Sequence, residues 1–209
     1  MNYLAYQANL FQRYPQLVFC KDAIEASFQK LVQCFKNGGK LLIAGNGGSA
    51  SDADHIAGEL LKSFCGHKHL AGKNAEKMGA LAEHLQAALP AIPLSNLSGI
   101  YTAFSNDCEP EWAFAQLVYA LGNKGDILLG ISTSGNSSNI KNALLVARQK
   151  GILTLGLTGK GGGVMKELCD VCICVPETET YKIQELHLPV YHGLCQMLET
   201  YFQEFPIEI

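Results

Sequence analysis

The chain has 209 residues, 48% of them hydrophobic and 17% charged, with a formal net charge of -3; a chain of that size buries a substantial core as one domain. The slightly acidic balance, with basic residues scattered and in no run, gives nucleic acid or an anionic membrane surface no electrostatic hold, and no apolar stretch reaches the length of a bilayer span. The first residues, Met1 to Gln7, lack a charged stretch followed by an apolar core, so no signal peptide is expected, the cytoplasm is the expected compartment, and the eight cysteines are expected as free thiols.

Taken in chain order, the first segment reads as helix. Ile24, Phe28, Leu31, Val32 and Phe35 recur at helical spacing, and Asn37-Gly38-Gly39 supplies a C-terminal stop. Residues 1–37 therefore read as a helical extension, placed either over the sheet or against another subunit. Five apolar runs follow, at 40–44, 91–94, 126–131, 153–158 and 171–175. Helical patterns separate them at 51–64, 75–89, 100–106, 111–121 and 138–150, and a last helix covers about 181–203. Continuous apolar strands alternating with helices predict an α/β fold, a parallel sheet covered on both faces. Ligands in such folds bind outside the carboxyl ends of the strands.

Three local features have plain structural readings. Residues 65–74 form a polar, glycine-containing break, a loop or lid. Its His67 and His69 read as solvated, because no carboxylate or thiol stands beside them at ligand spacing. Cys169, Cys172 and Cys174 contain half of a zinc-ribbon pattern without the other half, and 171–175 reads as a strand in which cysteine is a small apolar residue. Pro189 is expected to remove one hydrogen bond from the last helix and to kink it just before His192.

Two loops at strand ends carry the first chemical signal. Asn46-Gly47-Gly48-Ser49 follows a strand and opens a helix, where free N–H groups and the dipole favour an anion. It is neither a Walker A loop nor a dinucleotide fingerprint, and a plain strand-to-helix turn accounts for it as well. The second loop gathers five hydroxyls, Ser132, Thr133, Ser134, Ser137 and Ser138, around Gly135 and Asn136. Such a loop can surround a phosphate without a lysine, or it can be a solvated loop with a serine cap. His55 and Glu59 share one face of a helix, and Gln184 and His192 stand eight residues apart near one face of another. The two pairs can meet around a metal or a substrate.

These motifs occur in a fixed order: Ala44-Gly45-Asn46-Gly47-Gly48-Ser49, His55-x-x-x-Glu59, Ser105-Asn106-Asp107, Gly125-Asp126 through Ser132-Thr133-Ser134-Gly135-Asn136-Ser137, Leu157-Thr158-Gly159-Lys160 and Ile183-Gln184-Glu185-x-His187. The chain so resembles the SIS (sugar isomerase) domain family, and within it the bacterial phosphoheptose isomerases, over about 38–199. The resemblance implies a single SIS domain with a five-stranded parallel sheet flanked by helices, and a homotetramer with active sites at subunit interfaces. It implies interconversion of sedoheptulose 7-phosphate and glycero-manno-heptose 7-phosphate, an early step toward activated heptose for surface glycans. Ser49, Ser132, Thr133, Ser134 and Ser137 would hold the phosphate beside Gly47 and Gly48, and Asn46 and Asp107 would contact sugar hydroxyls. His55, Glu59, Gln184 and His192 match the positions that bind zinc, and Glu59 and His192 match the acid/base pair.

The chemistry agrees with that assignment. Aldose–ketose isomerisation moves a proton between adjacent carbons through an enediol. Glu59 serves as the base if partial burial raises its pKa, and His192 serves the oxygens. A zinc ion would polarise the carbonyl or organise the site, and a ligated Glu59 would be a poorer base. The chain departs from the family pattern at three places. Ser63 stands where a basic residue is expected, with Lys62 beside it; Tyr181 stands where an acidic residue is common; and the segment 66–91 is longer and adds a helix near 75–89. Two other classes share the fold: tetrameric adaptors that bind the bacterial replication initiator protein and lack the full His/Glu/Gln/His set, and regulatory modules fused to a DNA-binding domain. All four positions are filled in this chain, and it leaves no room for a second domain.

Overall fold

The computed structural model describes residues 3–66 and 69–207. Five strands form one sheet: β1 Leu41–Gly45, β2 Ala91–Pro93, β3 Ile127–Ser132, β4 Leu153–Thr158 and β5 Val171–Cys174. Their order is β2-β1-β3-β4-β5, and every pair is parallel. The five apolar runs are thus the five strands, with ends within two residues of expectation. Alternate residues serve opposite faces, as the period of a strand requires. Leu41, Ile43, Ile127, Leu129 and Ile131 enter one core, and Leu42, Ala44 and Leu128 enter the other. Fully burying one such side chain is worth roughly 1.5–3 kcal/mol.

The first core lies under α1 Tyr3–Arg13, α2 Lys21–Lys36, α3 Gly48–Leu61 and α9 Thr180–Glu204. The second lies under α6 Ala113–Leu121, α7 Ser138–Gln149 and the single turn α8 Met165–Leu168. Of the two placements open for the leading helices, α2 takes the sheet: Ile24, Phe28, Leu31 and Phe35 are all buried in the first core. Between the edge strand β2 and α6 runs α5 Ser98–Asp107.

Two expectations need correction. The helix near 75–89 is replaced by α4 Gly72–Met78, a tight turn at Gly79–His84 and extended chain in which Gln86 pairs with His69. No residue of α4 or the turn is buried, so no apolar face is packed to hold a longer helix, and Gly79 at φ 57 ends the one that forms. The helix after the first loop starts at Gly48 and stops at Leu61 rather than covering 51–64. Its stop has a cause: the Glu199 carboxylate on α9 accepts from Ser63 Oγ (2.8 Å), Phe64 N–H (3.1 Å) and Cys65 N–H (2.7 Å), drawing those residues out of helical register. Past Pro189, which is buried, α9 continues as one helix to Glu204. Packing along the whole helix outweighs the one hydrogen bond that proline removes.

His67 lies outside the described residues, and its neighbour His69 is exposed. Cys172 and Cys174 are strand residues, their sulfurs 3.8 Å apart beside the Thr158 hydroxyl, and all eight cysteines are free thiols. Among the described residues no helix is long and apolar enough to cross a membrane.

Candidate active site

Strand order creates the site. The chain leaves β1 for the edge strand β2 and returns on the far side of β1 to form β3. The loops after β1 and β3 therefore diverge, and the crevice between them is where ligands of such sheets bind. In the first loop Gly47 adopts φ 54, a left-handed conformation that favours glycine. At Gly48 a Cβ would stand 2.5 Å from Gln184 Nε2, so the absent side chain leaves room for the Gln184 amide against the loop. Ser49 is buried in the first turn of α3, and Asn46 is exposed.

The second loop is held by its own hydroxyls. Ser132 Oγ lies 2.9 Å from Ser137 Oγ and 3.5 Å from Ser134 Oγ. Asn136 donates its N–H to Ser134 Oγ (3.1 Å) and accepts the Val164 N–H (3.0 Å). Gly135, at φ 67, packs so close to the 162–163 backbone that a Cβ would fall 2.0 Å from the Gly162 carbonyl. Thr133 anchors the loop through its carbonyl, which accepts the Gly159 N–H at 3.0 Å. Ser137 precedes the first residue of α7, so the hydroxyls gather at that helix N-terminus. The two loops are tied together by a reciprocal amide pair: Asn46 Nδ2 donates to Asn139 Oδ1 (2.9 Å) and Asn139 Nδ2 to Asn46 Oδ1 (2.8 Å).

Beside the first loop, α3 and α9 bring the remaining side chains together. His55 Nε2 lies 3.1 Å from Glu59 Oε1 and 3.4 Å from His192 Nε2. The Glu59 side chain is mostly buried, and its Oε2 accepts no hydrogen bond; the nearest cation, Lys62 Nζ, is 3.9 Å away. Phe64, on the segment pinned by Glu199, sets its ring 5.4 Å from that of His192. Burial, and then the neighbouring His55, lowers the His192 pKa, so the ring is neutral at neutral pH and able to take a proton or give one. Tyr191 donates to Asp52 Oδ1 (3.2 Å) and contacts His55 Nδ1 (3.1 Å). Among the described residues no three His, Cys, Asp or Glu side chains already surround a metal position; the contacts at His55 are pairwise.

The structure thus joins Asn46, Gly47, Gly48, Ser49 and Gln184 around the first loop, Ser132, Thr133, Ser134 and Ser137 around the second, and His55, Glu59 and His192 beside them. It does not bring Asp107 to them. That residue is exposed at the end of α5 and is hydrogen-bonded to Asn106 at 2.9 Å. Four residues escaped the sequence reading. Asp52 stands three before His55 on the same helix face, a spacing that was legible. Asn139, Tyr191 and Glu199 act across the fold, and nothing local marks them.

Known proteins agree with this geometry. The SIS domain family profile matches residues 101–199. The phosphoheptose isomerase of Roseiflexus sp. is 42% identical over 87% of this chain and 83% of its own. The solved phosphoheptose isomerase of Francisella tularensis superposes with a TM-score of 0.74 at 31% identity, covering 96% of this chain and 100% of its own. That of Neisseria gonorrhoeae gives 0.71 at 32%, covering 92% and 93%. A parallel five-stranded sheet with hydroxyl loops at its carboxyl end, joined to relatives of this identity and coverage, places the chain in the phosphoheptose isomerase family of SIS-domain isomerases.

Proposed function

We propose that the protein interconverts sedoheptulose 7-phosphate and glycero-manno-heptose 7-phosphate in the cytoplasm, as a homotetramer. The observation that carries this reading is the meeting of Glu59, His55 and His192, from helices far apart in sequence, beside two loops suited to a phosphate. The hydroxyls of Ser132, Ser134 and Ser137, the side chain of Thr133 and the buried Ser49 bind the phosphate, with Gly47 and Gly48 letting it approach the backbone. Asn46 takes a sugar hydroxyl. The reacting carbons then fall over α3, where Glu59 removes a proton from one carbon and returns it to the next, while the neutral His192 moves protons between the two oxygens. Phe64 walls that end against water. Exposed apolar side chains such as Phe19 and Tyr119 offer surface for contacts between copies, and sites at subunit boundaries give Asp107 a sugar to contact in a neighbouring copy.

The donor set suits zinc. His55, Glu59 and His192 with the Gln184 carbonyl are nitrogen and oxygen ligands of the kind zinc takes, and the Glu59 Oε2 is buried without a hydrogen-bond partner. When bound, the ion supplies polarisation of the substrate carbonyl.

The test is turnover of sedoheptulose 7-phosphate by purified protein, with added zinc and with chelator, beside Glu59→Gln. Product from the wild type, lost in the variant and reduced by chelator, is expected. A folded wild type that forms no heptose 7-phosphate in any arm would end the reading, and turnover unchanged by chelator would remove the metal from it.

A further inference from the structure

Glu199 is a half-buried carboxylate to which the isomerase reading gives no part. It stands seven residues after His192, two turns along the same face of α9. Its Oε1 accepts from Ser63 Oγ (2.8 Å) and the Phe64 N–H (3.1 Å), and its Oε2 from the Cys65 N–H (2.7 Å). The remaining N–H of that stretch, on Ser63, goes to Gln86 Oε1 at 3.0 Å. Three consecutive residues thus have every backbone donor taken by a side chain from elsewhere in the fold. Hydrogen bonds to a carboxylate are roughly twice as strong as neutral ones, and neighbouring N–H groups shared between its two oxygens also fix direction.

Those bonds replace the ones a longer helix would make. In a continued α3 the N–H groups of Ser63, Phe64 and Cys65 would turn back to the carbonyls of Glu59, Leu60 and Leu61. The Leu60 carbonyl accepts the Leu89 N–H instead, at 2.7 Å, and Lys62 is extended, at φ -145 and ψ 170. The consequence falls on Phe64. A continued helix would carry it about 180° round the axis from His55, on the face away from the site. Unwound, it sets its ring 5.4 Å from that of His192, at a tilt of 43°, and packs against the first core. His55 and Tyr191 stand edge-on to the same imidazole, at 4.9 and 5.1 Å. Of the three rings that bracket His192, Phe64 is the one that no helix holds in place.

We propose that Glu199 is a positioning residue of the isomerase site: by drawing residues 63–65 out of α3 it seats Phe64 against His192 and holds that imidazole where substrate oxygens meet it. The proposal rests on the isomerase reading for its effect on turnover, while the seating of Phe64 stands on the hydrogen bonds alone. Glu199 touches no reacting atom. Without its carboxylate α3 can wind on through Phe64, and the His192 ring loses the wall that fixes its tilt.

Glu199→Ala removes all three bonds, and Glu199→Asp is a milder break that keeps the charge and withdraws it by one carbon. Glu199→Gln keeps an oxygen for Ser63 and Phe64 and gives up the acceptor for Cys65. Phe64→Leu leaves the carboxylate and removes the ring. The His192 ring C–H signals in nuclear magnetic resonance, recorded in zinc-free protein at one alkaline pH and assigned through His192→Gln, carry the ring current of Phe64; Phe64→Leu marks their position without it. Glu199→Ala and Glu199→Asp are expected to move them toward that position, and Glu199→Gln to stay nearer wild type. In turnover of sedoheptulose 7-phosphate, kcat should fall about tenfold to a hundredfold in Glu199→Ala with KM little changed, and recover in part in Glu199→Gln. Phe64→Leu should lower kcat too, and the double variant should be no worse than the worse single one, because two changes on one path do not add. Signals that keep the wild-type position in Glu199→Asp, or in Glu199→Ala shown to be folded by thermal unfolding, would overturn the proposal, as would losses in kcat that add. A wild type without turnover would end the isomerase reading alone; the spectra would still decide whether Glu199 seats Phe64.

Discussion

The two halves of the site are built by different means. The hydroxyl loop orders its hydroxyls largely by local contacts: Ser132 reaches Ser137 five residues on and Ser134 caps Asn136 two residues on, while the 159–164 segment braces its backbone through Gly159 and Val164. The histidine–carboxylate half depends on contacts across the fold, with His55 meeting Tyr191 at a separation of 136 residues and His192 at 137. A half written in one short stretch can bind; a half assembled from two helices can set the protonation of its groups. Binding and chemistry should therefore separate under mutation.

The largest effect is expected at the assembled half. Glu59→Gln keeps the shape and removes the base, and kcat should fall about a thousandfold, within the 10²–10⁴ that positioned acid–base groups supply, with KM little changed. Steady-state kinetics decide the matter: a Glu59→Gln enzyme that lost affinity and kept kcat would place the chemistry elsewhere.

The next effect is in stability, because α9 serves both halves. While Gln184 and His192 face the site, His187 is fully buried against the sheet, and burial lowers its pKa from 6.5 to about 4 against the opposing pull of the Thr158 backbone. Thr158 leads into Gly159, whose N–H holds the Thr133 carbonyl of the hydroxyl loop. Between pH 6.5 and 4 the unfolded chain takes up a proton that the folded chain refuses. Stability is thus full above the unfolded pKa and falls as pH drops through this window, by up to about 3 kcal/mol from this group. Urea unfolding across that range should show the loss in wild type and a flatter profile in His187→Leu. Identical acid slopes in both would mean that other groups carry the acid sensitivity.

How far each half was legible follows from the same contrast. The five strands and the hydroxyl loop could be read from the chain because apolar runs, glycines and clustered hydroxyls are local signals. His55, Glu59, Gln184 and His192 were found by helical spacing and family resemblance, but that His55 and His192 touch is a property of the packed helices. The segment 72–84 misled because its alanines and charged residues favour helix, whereas helix length is set by a buried face that this segment lacks. Glu199 was invisible because a carboxylate late in a helix says nothing of the three donors it will meet. On the legible side, Ser132→Ala removes one hydroxyl from the loop and its bond to Ser137. KM should rise about tenfold with kcat nearly held, the cost of one hydrogen bond of about 1.4 kcal/mol to bound phosphate. A fall in kcat as large as that in Glu59→Gln would erase the division between the halves.

The smallest effect probes the seam. Asn139 pairs with Asn46 through both amide groups and also receives the Ile140 N–H on its oxygen. Both amides lie near the surface, so Asn139→Ala leaves Asn46 to water rather than to an apolar pocket, and the stability cost should stay below about 1 kcal/mol. What the variant loses is the tie that fixes one loop relative to the other. On the proposed reading most of the phosphate's hydroxyl donors lie on the second loop and Asn46 on the first takes the sugar, so a loosened seam misplaces the sugar over Glu59 more than it disturbs the phosphate. The expected result is a fall of about fivefold in kcat/KM, roughly 1 kcal/mol of transition-state stabilisation, with inhibition by inorganic phosphate unchanged. If phosphate inhibition weakened in parallel, the pair would be holding the hydroxyl loop itself, and the two halves would be less independent than their hydrogen bonds make them.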